Sequence, residues 1–301
     1  MLVVLECVVN VAFGRRRDLI ESLAEACGAP LADVHVDQDH DRTVFTLVDT
    51  SDEAVGRAAR RLAGAIVGRP ELDLAANAGV HPRLGILDVV PFVSLDGRPD
   101  RAGRQACRFA RWWAEAHAVP TFLYDDADPE ARSLPSVRRD AFCGRVPDFG
   151  TAQPHPRLGS TAVGARPVMI AVNCELATAD VDVARAIAET VRARDGGLPG
   201  VRALGLRLRS RGTVQVSMNL VELSGTGLEE ACGAVRHHAR EAGTSIDRVE
   251  LVGLVPAREL ARCTQAFRTE TGLGVAHTIE AALVRRPRPE LTGDTPPGDA
   301  G

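Results

Sequence analysis

The chain has 301 residues, 45% of them apolar, with 36 basic against 40 acidic groups and a formal charge of −4. That length predicts about two domains of roughly 100–200 residues each, and the small charge excludes a broad basic face for nucleic acid. Every basic residue is an arginine, which excludes a Schiff-base, P-loop or general-base lysine and leaves anions to Arg forks, backbone N–H groups and helix N-termini.

Seven cysteines stand at 7, 27, 107, 143, 174, 232 and 263. Their odd number and the lack of CxxC spacing predict free thiols in a reducing compartment, with neither a disulfide frame nor a zinc site. The N-terminal residues lack the basic region and length of a signal sequence. No apolar run approaches about 18 residues. A soluble, cytoplasmic protein with no membrane partner is expected.

In chain order, residues 2–11 are apolar and β-branched and predict a buried first strand. The loop Asn10-Val11-Ala12-Phe13-Gly14 leads to a helix over 18–28, where Leu19, Ile20, Leu23 and Ala26 recur at helical spacing and Gly28 and Pro30 stop it. A polar knot, Asp37-Gln38-Asp39-His40-Asp41-Arg42, precedes a strand over 43–48. Thr50-Ser51-Asp52-Glu53 is an N-cap signature for a helix running to Val67. A third helix is predicted over 100–118 and a strand over 120–124. Trp112 and Trp113 are adjacent, so only one can face the core fully. Residues 125–166 are loop-rich, with one short helix near 129–140.

A second set of elements follows: a strand over 168–174, a helix from Asp180 to Arg194, and a hairpin of 201–208 with 213–220. A helix over 226–242, a strand over 248–254 and a last helix over 278–286 complete it. This order predicts an α+β chain of two α/β subdomains, each a mixed or antiparallel sheet with helices on one face. The predicted bounds are 1–166 and 167–286, with 287–301 as a disordered tail rich in Gly, Pro and Asp.

The richest stretch is Asn77-Ala78-Gly79-Val80-His81-Pro82-Arg83-Leu84-Gly85, which runs into apolar 86–92 with Asp88 set among them. A titratable imidazole at a loop-to-strand junction is a common way to hold a catalytic group on a rigid element. The pentapeptide His-Pro-Arg-Leu-Gly recurs at 155–159, but five residues are too few to establish a repeat.

Gly79-Val80-His81-Pro82-Arg83-Leu84-Gly85-Ile86-Leu87-Asp88-Val89-Val90-Pro91-Phe92 is the most specific of several segments that resemble the glutamate formiminotransferase family. Leu5–Asn10, Asp41–Thr46, Pro147-Asp148-Phe149-Gly150, Gly164-Ala165-Arg166 and Leu251–Pro256 support it. The resemblance runs from about residue 2 to 285. It implies two α/β subdomains forming a V-shaped cleft. It also implies transfer of a formimino group from N-formimino-L-glutamate to N5 of tetrahydrofolate, in histidine catabolism and one-carbon metabolism.

By the same resemblance His81 is the catalytic group, assisted by Asp39, with Asn10 beside them. Folate binding falls to Gly150, Thr151, Ala152, Gln153, Pro154, His155, Pro156, Arg157, Leu158 and Gly159. The carboxylates of both substrates make Arg42, Arg83, Arg157 and Arg166 candidate forks. Each arginine taken singly fits a surface or structural ion pair as well as a ligand contact. Tetrahydrofolate is the implied co-substrate. No metal is needed, no metal ligand cluster is visible, and a homodimer is implied.

The chemistry suits one imidazole. The attacking N5 must lose a proton and the departing glutamate nitrogen must gain one. A group titrating near neutrality can do both, contributing roughly 10²–10⁴-fold. The chain departs from the family at Ala12 and Phe13, where Ser and Glu stand elsewhere, and at 155–159, where a Trp is lost. Those changes leave a second function open: a folate- or small-molecule-binding protein of this fold without turnover, or one-carbon transfer from another amino donor. A general amide hydrolase lacks a paired nucleophile. The residues after 286 are too few for a cyclodeaminase.

Overall fold

The computed structural model describes residues 4–77, 82–285 and 290–294. They form two compact units, one reaching to Pro167 and taking in the C-terminal end, the other spanning Val168–Arg285. In the first unit β1 is Leu5–Val11, α1 Arg17–Cys27, β2 Leu31–Asp37, β3 Arg42–Asp49 and α2 Asp52–Val67. Then come β4 Leu87–Ser94, α3 Pro99–His117, β5 Thr121–Asp125, α4 Leu134–Asp140 and β6 Thr161–Ala165. The second unit holds β7 Ile170–Leu176, α5 Val181–Val191, β8 Val201–Leu208, β9 Thr213–Leu220, α6 Leu228–Glu241 and β10 Ile246–Val252, followed by α7 Ala257–Arg262, α8 Gln265–Thr271 and α9 Ile279–Arg285. A last strand, β11 Leu291–Gly293, returns to the first unit.

The first unit is a seven-stranded mixed sheet in the order β11-β2-β3-β1-β4-β6-β5. Strands β2, β3, β1 and β4 are antiparallel, and β4, β6 and β5 run parallel. Helices α1, α2 and α3 cover one face, where Leu23, Leu62, Ile66, Phe109 and Trp113 pack on Cys7, Val9, Phe45 and Phe92. On the other face Val89, Phe122, Tyr124 and Ala162 pack against Val137 of α4. Ser51 caps α2 by accepting from the Ala54 N–H at 3.3 Å, as its sequence signature predicts. Trp113 is buried and donates to Thr161 Oγ1 at 3.0 Å. Trp112 is half-buried beneath the Arg60 guanidinium.

The second unit is a four-stranded antiparallel sheet, β10-β7-β9-β8. Its core joins Val172, Cys174, Val216 and Met218 of the sheet to Ile187 of α5 and Val235 of α6. Asp180 caps α5 through the Asp182 N–H at 3.0 Å. The helix ends at Val191, short of the expected Arg194, because 193–195 tighten into a 3-10 turn.

Two strands depart from the sequence reading. β2 fills the stretch between the end of the first helix and the polar knot, which the sequence leaves without an element, and β6 lies inside the loop-rich 125–166. β6 is five residues long, and Gly164 in it allows the Tyr124 ring so close that a Cβ would stand 2.4 Å from it. A third departure is the tail. Leu291–Gly293 pairs in parallel with Val34–Val36, Thr292 Oγ1 donates to Val34 O at 3.0 Å, and the Asp294 N–H to Val36 O at 2.7 Å. An edge strand leaves backbone donors and acceptors open to such pairing, so this part of 287–301 is a strand and not disordered tail.

Candidate active site

Asn10 ends the regular part of β1, where the pairing with β4 shifts by a bulge. Its Nδ2 donates to Val8 O at 2.8 Å, and its Oδ1 accepts from Arg42 Nε at 3.1 Å and Nη2 at 2.6 Å. Arg42 Nη1 reaches Asp88 Oδ2 at 3.3 Å. Asp88, the acid set in an otherwise apolar strand, is fully buried and also accepts from Arg138 of α4 and from the Leu84 N–H at 2.8 Å. A buried carboxylate requires this saturation. Desolvation by its surroundings lowers the Arg42 pKa to about 10, against the attraction of Asp88 and with the repulsion of Arg138. Arg42 therefore stays charged at neutral pH and serves as an internal anchor for Asn10.

The first loop is fastened on both sides. The Ala12 N–H donates to Ile86 O at 2.7 Å, and Asn77 Nδ2 donates to Ala12 O at 2.5 Å. Thr43 Oγ1 donates to Phe13 O at 2.6 Å, and the Gly14 N–H to Asp41 Oδ1 at 2.8 Å. A Cβ on Gly14 would lie 2.6 Å from Asp37 O and 2.7 Å from Arg42 N, so only glycine lets loop and knot close. The bonds here are made by backbone atoms of residues 12–14, so they do not depend on the side chains of Ala12 and Phe13.

The polar knot is a turn over 38–41 with its own internal pair. The His40 N–H donates to Asp37 Oδ1 at 2.8 Å, and the His40 ring Nδ1 meets Asp37 Oδ2. Burial works against the Asp37 carboxylate, but the His40 bonds and charge outweigh it and hold its pKa below the usual carboxylate value. Asp39 is half-buried on the same turn.

His81, with 78–80, lies outside the described residues. The chain on its two sides is tied together: Arg83 Nη2 donates to Asn77 O at 2.7 Å. Leu84, Gly85 and Ile86 are held to the second candidate segment. The Ile86 N–H donates to Leu158 O and the Ser160 N–H to Leu84 O, each at 3.0 Å.

That segment divides in two. Gly150, Thr151, Ala152, Gln153, Pro154 and Pro156 are exposed. His155 Nδ1 accepts from the Arg157 and Leu158 N–H groups at 3.2 and 3.0 Å. Desolvation, together with the nearby Arg157 charge, lowers its pKa, so His155 is neutral near pH 7 with its proton on Nε2. Arg157, Leu158 and Gly159 are built into the fold. Arg157 Nη1 donates to Arg69 O and Leu72 O at 2.8 and 2.9 Å, and Nη2 to Val67 O at 2.8 Å. It clamps the chain leaving α2, as a cation beyond a helix C-terminus can. Leu158 is 2% exposed in the core and Gly159 is buried. Arg166 is half-buried, with Nη1 on Pro167 O at 3.0 Å.

Sequence reasoning missed Asp88 as an organiser, Arg138 as its second partner, and Asn77 and Asp41 as loop fasteners. For Asp88 the signal was present, a single acid inside an apolar strand. A separate groove of about 790 Å³ on the outer side of α3, lined by Arg60, Arg104, Arg108, Arg111 and Trp112 among others, shares no residue with this network.

Residues 4–166 match the formiminotransferase domain, N-terminal subdomain, and residues 171–285 match the formiminotransferase domain. The chain is 33% identical over 279 residues to a glutamate formimidoyltransferase of Streptococcus pyogenes serotype M1, covering 86% of this chain and 91% of that protein. It is 31% identical over 296 residues to the glutamate formimidoyltransferase of Thermoplasma acidophilum, covering 92% and 96%. It is 32% identical to the formimidoyltransferase-cyclodeaminase of Rattus norvegicus, where 85% of this chain matches 50% of that protein.

Proposed function

The chain belongs to the formiminotransferase family, and from that premise we propose that it is a glutamate formimidoyltransferase, moving the formimino group of N-formimino-L-glutamate to N5 of tetrahydrofolate. The observation that carries this reading is the match to the Streptococcus pyogenes enzyme over 91% of that protein's length. Tetrahydrofolate is the co-substrate, and the partners are small molecules.

In this reading N5 of the folate attacks the formimino carbon and gives its proton to the His81 imidazole. The tetrahedral centre collapses as the imidazolium returns that proton to the glutamate nitrogen. The C–N bond to glutamate breaks and glutamate leaves. Asp39 holds the imidazole tautomer and stabilises imidazolium, as an orienting carboxylate does in other acid–base pairs. Asn10, held by Arg42, orients the reacting amidine. The exposed residues 150–154, His155 with its Nε2 proton, and Pro156 take the folate side. Arg83 and Arg166 are the forks for substrate carboxylates.

The cytoplasm is the proposed compartment and a homodimer the assembly the family implies. Two observations fit the compartment. All seven cysteines are free, and no helix among the described residues is long and apolar enough to cross a membrane.

The test is glutamate release from N-formimino-L-glutamate with and without tetrahydrofolate. Release that depends on tetrahydrofolate is expected. Folate binding without release would replace this reading with that of a binding protein.

A further inference from the structure

The C-terminal turn of α6 carries His237, His238 and Glu241. Successive helical residues stand about 100° apart, so Glu241 falls between the histidines, about 40° round from one and about 60° from the other. Both rings turn toward it. His237 Nε2 lies 3.4 Å from Glu241 Oε1, and His238 Nδ1 lies 2.8 Å from Oε2. The imidazoles meet edge to face with centroids 5.1 Å apart, and the three ligand atoms lie within 4.8 Å of one another.

We propose that this turn is a binding site for a divalent transition metal of the zinc class. Two imidazole nitrogens and one carboxylate oxygen are a donor set that zinc takes at about 2.0–2.2 Å. The two rings meet the carboxylate through different oxygens, at 3.4 and 2.8 Å, and one donor atom from each residue lies within 4.8 Å of the others, within reach of the roughly 3.3 Å spacing of donors around a tetrahedral ion. Three donors from one turn leave the fourth position to water. Magnesium and calcium prefer oxygen ligands, so two imidazoles select against them.

The electrostatics agree with a cation. The site sits at the C-terminal end of α6, where the helix dipole favours positive charge. Arg240 and Arg236 fall about 60° and 100° round from His237, on the side away from His238, and Arg236 is paired with Glu270 at 2.6 Å. A bound ion would staple the last turn of α6 and stabilise the fold by mass action. The inference stands apart from the catalytic reading and shares no residue with it.

The test uses full-length protein stripped with EDTA and carrying Cys143→Ser, since that exposed thiol is a competing zinc ligand. Zinc chloride and magnesium chloride are titrated by calorimetry. One saturable zinc site, with no heat from magnesium, is expected. Loss of one direct ligand should weaken zinc by at least the roughly 10–100-fold typical of outer-sphere changes, in His238→Ala and in Glu241→Ala alike. His277→Ala serves as the control imidazole and should bind as before. The absence of a saturable site, equal binding of magnesium, or zinc affinity unchanged in the His237→Ala/His238→Ala/Glu241→Ala protein would each overturn the proposal. His237 and Glu241 are exposed and His238 is partly buried, and far-UV circular dichroism reports that the variants fold.

Discussion

Gly85 and Gly159 face each other across an antiparallel bridge, and each closes a copy of the same pentapeptide, His-Pro-Arg-Leu-Gly. The approach is too tight for any side chain. A Cβ on Gly85 would lie 2.3 Å from Ser160 O, and one on Gly159 would lie 2.4 Å from Leu84 O. Gly159 also adopts φ +72°, which disfavours other residues. The two segments that the family resemblance marks as catalytic and folate-binding are thus fastened to each other.

Gly159→Ala meets both obstacles, contact and backbone strain. It should lower the unfolding free energy by about 2–3 kcal/mol. Urea denaturation checks this through a lower midpoint at unchanged slope. An unshifted midpoint would mean the bridge tolerates the wider spacing.

Arg157 separates a structural arginine from a ligand arginine. Its three carbonyl bonds at the exit of α2 predict that Arg157→Ala loses about 2 kcal/mol of stability, as hydrogen bonds to charged groups typically contribute. The KM for tetrahydrofolate should change little. A raised KM at unchanged stability would assign Arg157 the ligand role instead.

Asp88 lies buried between two guanidinium groups. Asp88→Asn removes the carboxylate that both Arg42 and Arg138 contact, a loss of about 3–5 kcal/mol when one member of a buried pair is removed. The Leu84 N–H loses its acceptor, and Arg42, which holds Asn10, loses its Asp88 contact, so kcat should fall along with the melting temperature. A variant as stable and as active as the parent would remove Asp88 from both roles.

Asp37 sets a pH dependence. Its folded-state pKa is depressed, so the folded state favours the carboxylate. The resulting stability is fully present above the unfolded value of about 3.9 and is lost as pH falls through the lower folded value. Asp37→Asn should therefore be less stable than the parent at pH 7, and the gap should shrink below about pH 4. Urea midpoints of both proteins at pH 7 and pH 3 check it. A gap that is constant with pH would show that the Asp37–His40 pair contributes no ionic component.

Local signals were legible where they act alone. Ser51 before two acids starts α2, and the hairpin of β8 and β9 turns at Gly212, whose φ of +67° needs glycine. The strands β2 and β6 were not legible, because their stability comes from neighbours. β6 inserts in parallel between β4 and β5, and its short Thr-Ala-Val-Gly-Ala run carries no alternation of its own. Site residues followed the same division. His81 stands out by type and flanks. Arg42 and Arg157 look alike in sequence as candidate forks, and only tertiary contacts show one holding Asn10 and the other clamping α2. The adjacent histidines of α6 gave no metal spacing in sequence, since their convergence on Glu241 is a property of the helix.

The most direct test of the central claim follows the carbon itself. N-formimino-L-glutamate labelled with ¹³C in the formimino group is incubated with tetrahydrofolate and the protein, and ¹³C NMR reads where the label goes. The label should move to N5 of the folate with release of glutamate, and His81→Ala should slow this by roughly 10²–10⁴-fold. Label that stays on glutamate with the parent protein, or that moves as fast in His81→Ala, would contradict the account.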